Sequence, residues 1–165
     1  MQLYLMRHGI AINRGDPGCP GEVERHLTEE GIQKTRAAAR GLTTLGIDPG
    51  AWLTSPFLRA VQTAEITAEE FGVAKGKIVR TDTLLPSGRP AEFFKEVSRL
   101  KAEEVICFGH APQMDELIAF ALGSRAMVTA LKKAGVAALQ MERLSPPSGV
   151  LLWLYTPKVL RLLGE

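Results

Sequence analysis

The chain opens with the stretch Met1-Gln2-Leu3-Tyr4-Leu5-Met6-Arg7-His8-Gly9, a short apolar run that ends on an Arg-His-Gly step. The run predicts a buried strand, with Arg7 and His8 at its carboxyl end and a sharp turn at Gly9. Ligands of open α/β sheets bind outside the carboxyl ends of the strands, so both side chains are expected to meet a ligand there. A strand followed by an ordinary turn with a surface histidine is the alternative that this stretch leaves open.

Two later stretches repeat the pattern. The apolar run Val105-Ile106-Cys107-Phe108 ends on Gly109-His110, which predicts a second histidine at a strand end. The apolar stretch 51–54 is followed by Ser55-Pro56, a pair typical of a helix start with serine as the N-cap. Arg59 would lie in the first turns of that helix, and helical side chains lean towards the N-terminus, so its guanidinium is expected at the same sheet edge.

Strands and helices alternate along the rest of the chain. Strands are predicted at the N-terminus and over 51–54, 78–81, 103–109, 135–142 and 150–156, and helices over 28–45, 55–71, 91–100 and 112–122. This order predicts an α/β fold, a three-layer sandwich with a mostly parallel central sheet of about six strands and helices on both faces. The length of 165 residues favours a single domain over 1–165.

Composition narrows the class of protein. The residues are 45% hydrophobic and 23% charged, which is typical of a globular protein. A net charge of +2 is too small an excess to indicate nucleic-acid binding. Cys19 and Cys107 lack metal-binding spacing and are interpreted as free thiols, and the N-terminal apolar run is too short to span a bilayer. We therefore expect a cytoplasmic protein without a membrane or nucleic-acid partner.

Two arginines and two histidines are thus expected at neighbouring strand ends, a set that favours an anionic ligand. Arginine binds phosphate oxygens through paired hydrogen bonds, and a neutral imidazole can attack phosphorus. The four residues are Arg7, His8, Arg59 and His110. His26 lies in the irregular loop 10–27 and is interpreted as a solvated residue, although loops of this length in compact domains are usually functional.

Four motifs in register are similar to those of the histidine phosphatase superfamily, also called phosphoglycerate mutase-like. They are Leu5-Met6-Arg7-His8-Gly9, Leu27-Thr28-x-x-Gly31, Ser55-Pro56-x-x-Arg59-x-x-Gln62-Thr63 and Gly109-His110. Within the superfamily, the short chain, Ser-Pro-Phe-Leu-Arg-Ala and the Leu-x-Pro-x-Gly loop most resemble SixA-type phosphohistidine phosphatases. The resemblance extends over nearly the whole chain.

The resemblance implies a two-step phosphoryl transfer without metal or cofactor. His8 would be the nucleophile, while Arg7, Arg59 and His110 would bind the phosphoryl oxygens. Many relatives carry asparagine six residues after the nucleophile, whereas Asn13 comes five residues after His8 and Arg14 six. Asn13 and Arg14 are therefore both candidate phosphate contacts.

The general acid of many relatives has no counterpart in this sequence. They carry glutamate in the loop after the third strand, where this chain has Thr83 or Leu84. Asp82 and Glu92 are the nearby carboxylates, and each is a candidate acid, although a solvated role is favoured for both. An imidazole leaving group needs less protonation than an alkoxide, so the expected substrate is a phosphohistidine-bearing signalling protein.

Three alternatives remain open. A small-molecule phosphomonoester phosphatase or mutase of the same superfamily would use the same residues. A non-catalytic module that binds phosphate or another small anion would need the same pocket without turnover. A metalloprotein built on His8, His26 and His110 is the weakest alternative, because no His-x-x-x-His or Cys-x-x-Cys spacing supports it.

Overall fold

A six-stranded sheet forms the middle layer of the protein in a computed structural model that describes all 165 residues. Its strands are β1 (Gln2–Arg7), β2 (Ala51–Thr54), β3 (Ile78–Arg80), β4 (Glu104–Gly109), β5 (Val136–Leu144) and β6 (Pro147–Tyr155). They lie in the order β3-β2-β4-β1-β5-β6. The first four in this order are parallel neighbours, while β5 pairs antiparallel with both β1 and β6. The predicted mostly parallel sheet is confirmed.

Helices cover both faces of the sheet. They are α1 (Glu29–Thr43), α2 (Leu58–Glu70), α3 (Pro90–Val97), α4 (Gln113–Ala121) and α5 (Pro157–Leu163). Side chains of the central strand β1 alternate between the two layers, since Leu5 packs in a cluster with residues of α3 and α4, and Met6 packs with residues of α1, α2 and α5. Burial on both faces explains why β1 is apolar from Leu3 to Met6. The three-layer sandwich is therefore confirmed.

Three local predictions were wrong. Helix α2 begins at Leu58 rather than at Ser55-Pro56. The Ser55 hydroxyl accepts a hydrogen bond of 3.3 Å from the Phe57 amide, which precedes the helix, and lies 2.8 Å from the ring of buried His110, so it caps no amide of α2. Helix α5 was not predicted, although Thr156 accepts a hydrogen bond from the Val159 amide in an ordinary N-cap. The last strand was predicted over 150–156, but β6 already begins at Pro147, because the hairpin turn falls at residues 145–146.

The loop after β1 is tied to the start of α1. Thr28 caps the helix by accepting a hydrogen bond of 3.0 Å from the Gly31 amide. A Cβ atom at Gly31 would lie 2.0 Å from the carbonyl oxygen of Ile10, so only glycine allows the helix to approach the loop this closely. The Leu-Thr-x-x-Gly motif thus holds the backbone that follows His8. None of the helices combines the length and apolar character that a membrane span requires.

Candidate active site

Sheet register places the two strand-end histidines side by side. Strands β1 and β4 are neighbours, with Arg7 opposite Gly109, so His8 and His110 follow their strands at the same level. Their ring centroids lie 5.2 Å apart. Only 7% of His8 and 2% of His110 is exposed. The two imidazoles therefore form one buried pair at the carboxyl edge of the sheet.

Hydrogen bonding defines which nitrogen of His8 can react. Nδ1 lies 2.7 Å from the carbonyl oxygen of Gly9, an acceptor, so Nδ1 carries the proton and donates it. The lone pair of the neutral ring is consequently on Nε2. Burial, with smaller contributions from the charges of neighbouring groups, lowers the pKa of His8 to about 3. At neutral pH the ring is thus an uncharged nucleophile.

His110 is held in a complementary way. Its Nε2 lies 2.8 Å from the Ser55 hydroxyl, and its ring meets Phe57 edge-on with 5.4 Å between centroids. Its buried Nδ1 has no hydrogen-bond partner. Burial lowers the pKa of His110 to about 3, and the charge of Arg59 acts in the same direction. Nδ1 is therefore the ring atom still available to a ligand.

Both histidines line a cavity of about 610 Å³, which we call the histidine cavity. Its walls carry five cations and a single carboxylate, that of Glu22. The cations are Arg7, Arg14, Arg25, Arg59 and Lys133. Such a concentration of positive charge around two neutral imidazoles favours an anionic ligand.

Arg7 and Arg59, the two predicted arginines, are each held by hydrogen bonds and keep N–H groups that have no partner. A terminal nitrogen of Arg7 donates to the carbonyl oxygen of Leu131 at 2.9 Å. The Arg59 guanidinium donates to the Glu22 carbonyl oxygen at 2.9 Å and to the Glu22 carboxylate at 2.8 Å. The Nε atoms of both arginines are buried without a partner. An oxyanion could accept from these unused N–H groups.

Glu22 already makes the contacts expected of an anionic ligand. Its carboxylate accepts hydrogen bonds from Arg14 at 2.9 and 3.0 Å, from Arg59 at 2.8 Å and from Arg25 at 3.3 Å. These contacts, the Arg14 hydrogen bond foremost, lower the pKa of Glu22 to about 2. The carboxylate is therefore ionised at neutral pH. In the structure, the anion bound by these three arginines is therefore a side chain of the protein itself, the carboxylate of Glu22.

The motif residues that do not line the cavity hold its walls in place. The Gln62 side-chain oxygen accepts from the Leu27 amide at 2.7 Å, and the Thr63 hydroxyl accepts from the Gly9 amide at 3.0 Å. A Cβ atom at Gly9 would lie 2.2 Å from the Thr35 hydroxyl. Glycine is required there because of this close packing, and its φ does not lie in the left-handed region.

Several candidate residues lie outside the histidine cavity. Asn13 is exposed, and its amide donates to Asp16, whereas Arg14 does reach the cavity. Asp82 is exposed, and Glu92 forms an exposed ion pair with Arg89. His26 is likewise absent from the cavity wall, and no three His, Cys, Asp or Glu side chains are grouped to hold a metal ion. Neither candidate acid contacts the histidines.

Three cavity residues were not identified from the sequence. Glu22 and Arg25 come from the loop between β1 and α1, which was predicted to be functional only as a whole. Lys133 lies in the turn before β5, where no sequence signal distinguished it. The only signal for Arg25 was its place in this loop, where a cation could bind a phosphate held by the strand-end residues.

Comparison with known proteins gives the chain its family. The model of the histidine phosphatase superfamily (branch 1) matches residues 3–84. An uncharacterized protein of Picosynechococcus sp. is 38% identical over 149 residues, 85% of each chain. The mitochondrial serine/threonine-protein phosphatase Pgam5 of Drosophila pseudoobscura pseudoobscura is 27% identical over 113 residues, which are 61% of this chain and 38% of that protein.

A solved structure shows the same architecture over the whole chain. The protein histidine phosphatase SixA, complexed with tungstate, has a TM-score of 0.83 and 24% identity. The alignment covers 97% of this chain and 99% of that one, so the two share their fold from end to end. With the motifs of β1, α1 and α2 inside the matched family region, the chain belongs to the histidine phosphatase superfamily.

Proposed function

We propose that the protein is a phosphatase that forms a phosphohistidine on His8 and dephosphorylates the phosphohistidine of a signalling protein. The observation that carries the proposal is the protonation and hydrogen bonding of the His8 ring. Its Nδ1 is committed to the Gly9 carbonyl, which leaves the Nε2 of a neutral ring available in a cavity with five cations. A phosphoryl group in this cavity meets a nucleophile and positive charge together, the two requirements of phosphoryl transfer.

The reaction proceeds in two displacements. Arg7, Arg59 and His110 hold the non-bridging oxygens of the substrate and stabilise the charge that develops on them. His8 Nε2 forms a bond to phosphorus as the bond from phosphorus to the substrate imidazole breaks. Water then attacks the phosphorylated His8, orthophosphate leaves, and the ring regains its lone pair.

The choice of substrate depends on the missing proton donor. An alkoxide leaving group must be protonated in the transition state, whereas an imidazole leaves with much less help. The only carboxylate in the histidine cavity is Glu22, and its pKa of about 2 leaves it without a proton at neutral pH. This supports phosphohistidine as the substrate over a sugar phosphate.

The likeness to SixA supports the same assignment. That protein is described as a protein histidine phosphatase, and its structure holds tungstate, a tetrahedral oxyanion of the same shape as phosphate. The cavity of the present chain carries donors suited to such an anion, namely the unpartnered Nε atoms of Arg7 and Arg59 and the Nδ1 of His110.

A side-by-side substrate comparison tests the proposal. The purified protein is assayed for phosphate release from a phosphohistidine protein, p-nitrophenyl phosphate and 3-phosphoglycerate. The expected result is a kcat/KM for phosphohistidine at least about a hundredfold above that for either phosphoester, because proton donation contributes about that much to ester cleavage. A preference for a phosphoester would contradict the assignment. Binding of phosphate without any turnover would identify a non-catalytic module.

A further inference from the structure

A second cavity of about 640 Å³ adjoins the histidine cavity and shares Arg7 and Lys133 with it. We call it the basic groove. Six of the residues along it are cationic, and none is acidic. The six are Arg7, Lys34, Lys132, Lys133, Lys158 and Arg161. The groove therefore continues the positive surface of the histidine cavity well beyond the space that one phosphoryl group fills.

The cations of the basic groove are almost entirely without acidic partners. Lys34 pairs with Glu30, and the other five make no ion pair. The chain as a whole is nearly balanced, with a net charge of +2. Burial lowers the pKa of Lys133, and the nearby charges of Arg7 and Arg25 act in the same direction. Clustered unpaired cations of this kind attract anions.

Three separate segments are held together to form the groove. Helix α5 packs so closely on α1 that a Cβ atom at Gly41 would lie 1.7 Å from the Leu160 carbonyl oxygen. This contact sets the cations of α5 beside Lys34. Next to Lys34, the Thr35 hydroxyl forms part of the groove wall and is buried without a hydrogen-bond partner.

The turn that carries the remaining two lysines is fixed against β1. The Ala134 amide donates to the carbonyl oxygens of Arg7 at 3.0 Å and His8 at 3.2 Å. Ala134 has a φ of 59°, a left-handed conformation that alanine rarely adopts. Lys132 and Lys133 are thus held next to the end of β1, where the basic groove meets the histidine cavity.

We propose that the basic groove binds an acidic segment of the phosphoprotein while its phosphohistidine occupies the histidine cavity, an inference that rests on the proposed function. Four of the six cations are lysines, whose ammonium groups are point charges on flexible stems that adapt to carboxylates at irregular positions. A second phosphate of a small substrate would need only two or three of these donors. Six cations spread over this volume fit several carboxylates of one protein surface.

Two phosphohistidine peptides that differ only in their flanking residues test the proposal. One carries glutamates beside the phosphohistidine and the other carries glutamines. The groove variant Lys158→Gln/Arg161→Gln removes two cations that do not line the histidine cavity. The control Lys101→Gln/Arg143→Gln removes two exposed cations near the amino end of β1, the end of the sheet away from His8 and His110. Hydrolysis of p-nitrophenyl phosphate monitors the histidine cavity itself.

We expect the groove variant to lose about tenfold in kcat/KM for the glutamate peptide, mainly through KM, as the ion pairs of two exposed cations are lost together. Its activity on the glutamine peptide and on p-nitrophenyl phosphate should stay within about twofold of wild type, as should every activity of the control. High salt should remove the wild-type preference for the glutamate peptide, because screening weakens exposed charge pairs.

Three outcomes would overturn the proposal. Wild-type protein could hydrolyse both peptides equally well, the groove variant could lose the same activity on every substrate, or only a sugar bisphosphate could respond to the substitutions. The last result would assign the groove to a small second anion. If no phosphohistidine peptide is hydrolysed, the proposed function fails separately. In that case, fluorescence anisotropy of the unphosphorylated glutamate peptide tests the groove proposal alone. Equal affinity of this peptide for wild type and the groove variant would show that the groove does not bind an acidic segment.

Discussion

Replacing Glu22 by glutamine should make the protein bind inorganic phosphate more tightly. In the structure its carboxylate accepts hydrogen bonds from Arg14, Arg25 and Arg59, three of the five cations that line the histidine cavity. Phosphate must approach the same groups against the negative charge of Glu22. The substitution removes that charge and keeps a side chain of nearly the same size.

The magnitude follows from Coulomb's law. Two unit charges about 6 Å apart repel by ~0.7 kcal/mol in water and by ~2.8 kcal/mol at an effective dielectric constant of about 20. The Glu22 side chain is 38% exposed, so its charge is partly screened and an intermediate value applies. About 1.4 kcal/mol corresponds to a tenfold change in affinity. Because the pKa of Glu22 is about 2, its carboxylate stays ionised between about pH 5 and pH 9, and the effect should grow with pH as orthophosphate gains its second negative charge.

Competitive inhibition of p-nitrophenyl phosphate hydrolysis by orthophosphate measures the effect. We expect the inhibition constant of Glu22→Gln to fall about tenfold relative to wild type. Glu24→Gln is the matched control, since Glu24 lies in the same loop, is exposed and makes no ion pair, and its inhibition constant should not change. An unchanged or higher constant in Glu22→Gln would show that the arginines bind phosphate only when Glu22 orients them.

Three further changes have defined outcomes. His8→Ala should reduce hydrolysis by about a thousandfold or more, and wild type should yield an acid-labile, alkali-stable phosphoenzyme; near-normal turnover in the variant would mean that another group attacks. Asp82→Asn and Glu92→Gln should each leave phosphohistidine hydrolysis within about tenfold of wild type, whereas a hundredfold loss in either would identify a general acid. The pKa of His8 is about 3 in the folded state and about 6.5 in the unfolded chain, so the unfolded chain binds the extra proton between these values. The free energy of unfolding therefore decreases as the pH is lowered from about 6.5 towards 3. Between pH 7 and pH 5, wild type should lose about 2 kcal/mol more unfolding free energy than His8→Gln in urea denaturation, and equal losses would show that His8 is not buried in its neutral form.

Much of the fold could be predicted because its signals are local. Strand β1 is covered on both faces, so every residue from Leu3 to Met6 is apolar and these four residues are enough to indicate a strand. The start of α2 could not be predicted in this way. Ser55 has the right chemistry for a cap, but tertiary structure directs its hydroxyl to His110 on another strand, and no local pattern reports that competition.

The cavity residues at strand ends could likewise be predicted from local sequence, whereas those in the loop could not. Arg7, His8 and His110 follow apolar strands directly, so sheet topology alone brings them to one edge. Glu22 and Arg25 lie in a loop without hydrophobic periodicity, and their place depends on long-range contacts such as the hydrogen bond from Leu27 to Gln62. Loop residues of this kind are located only once the elements around them are packed.

The lack of a proton donor follows from the chemistry that makes the site suitable for phosphate. A carboxylic acid keeps its proton near neutral pH only where burial outweighs nearby positive charge, yet the arginines that bind a phosphoryl group stabilise any carboxylate beside them in its ionised form. Glu22 shows this directly, with its pKa lowered to about 2. Pro86, Ser87 and Ala111 also line the cavity, and none of them is an acid. The lack of an acid supports the proposed phosphohistidine substrate, which needs little protonation to release its imidazole.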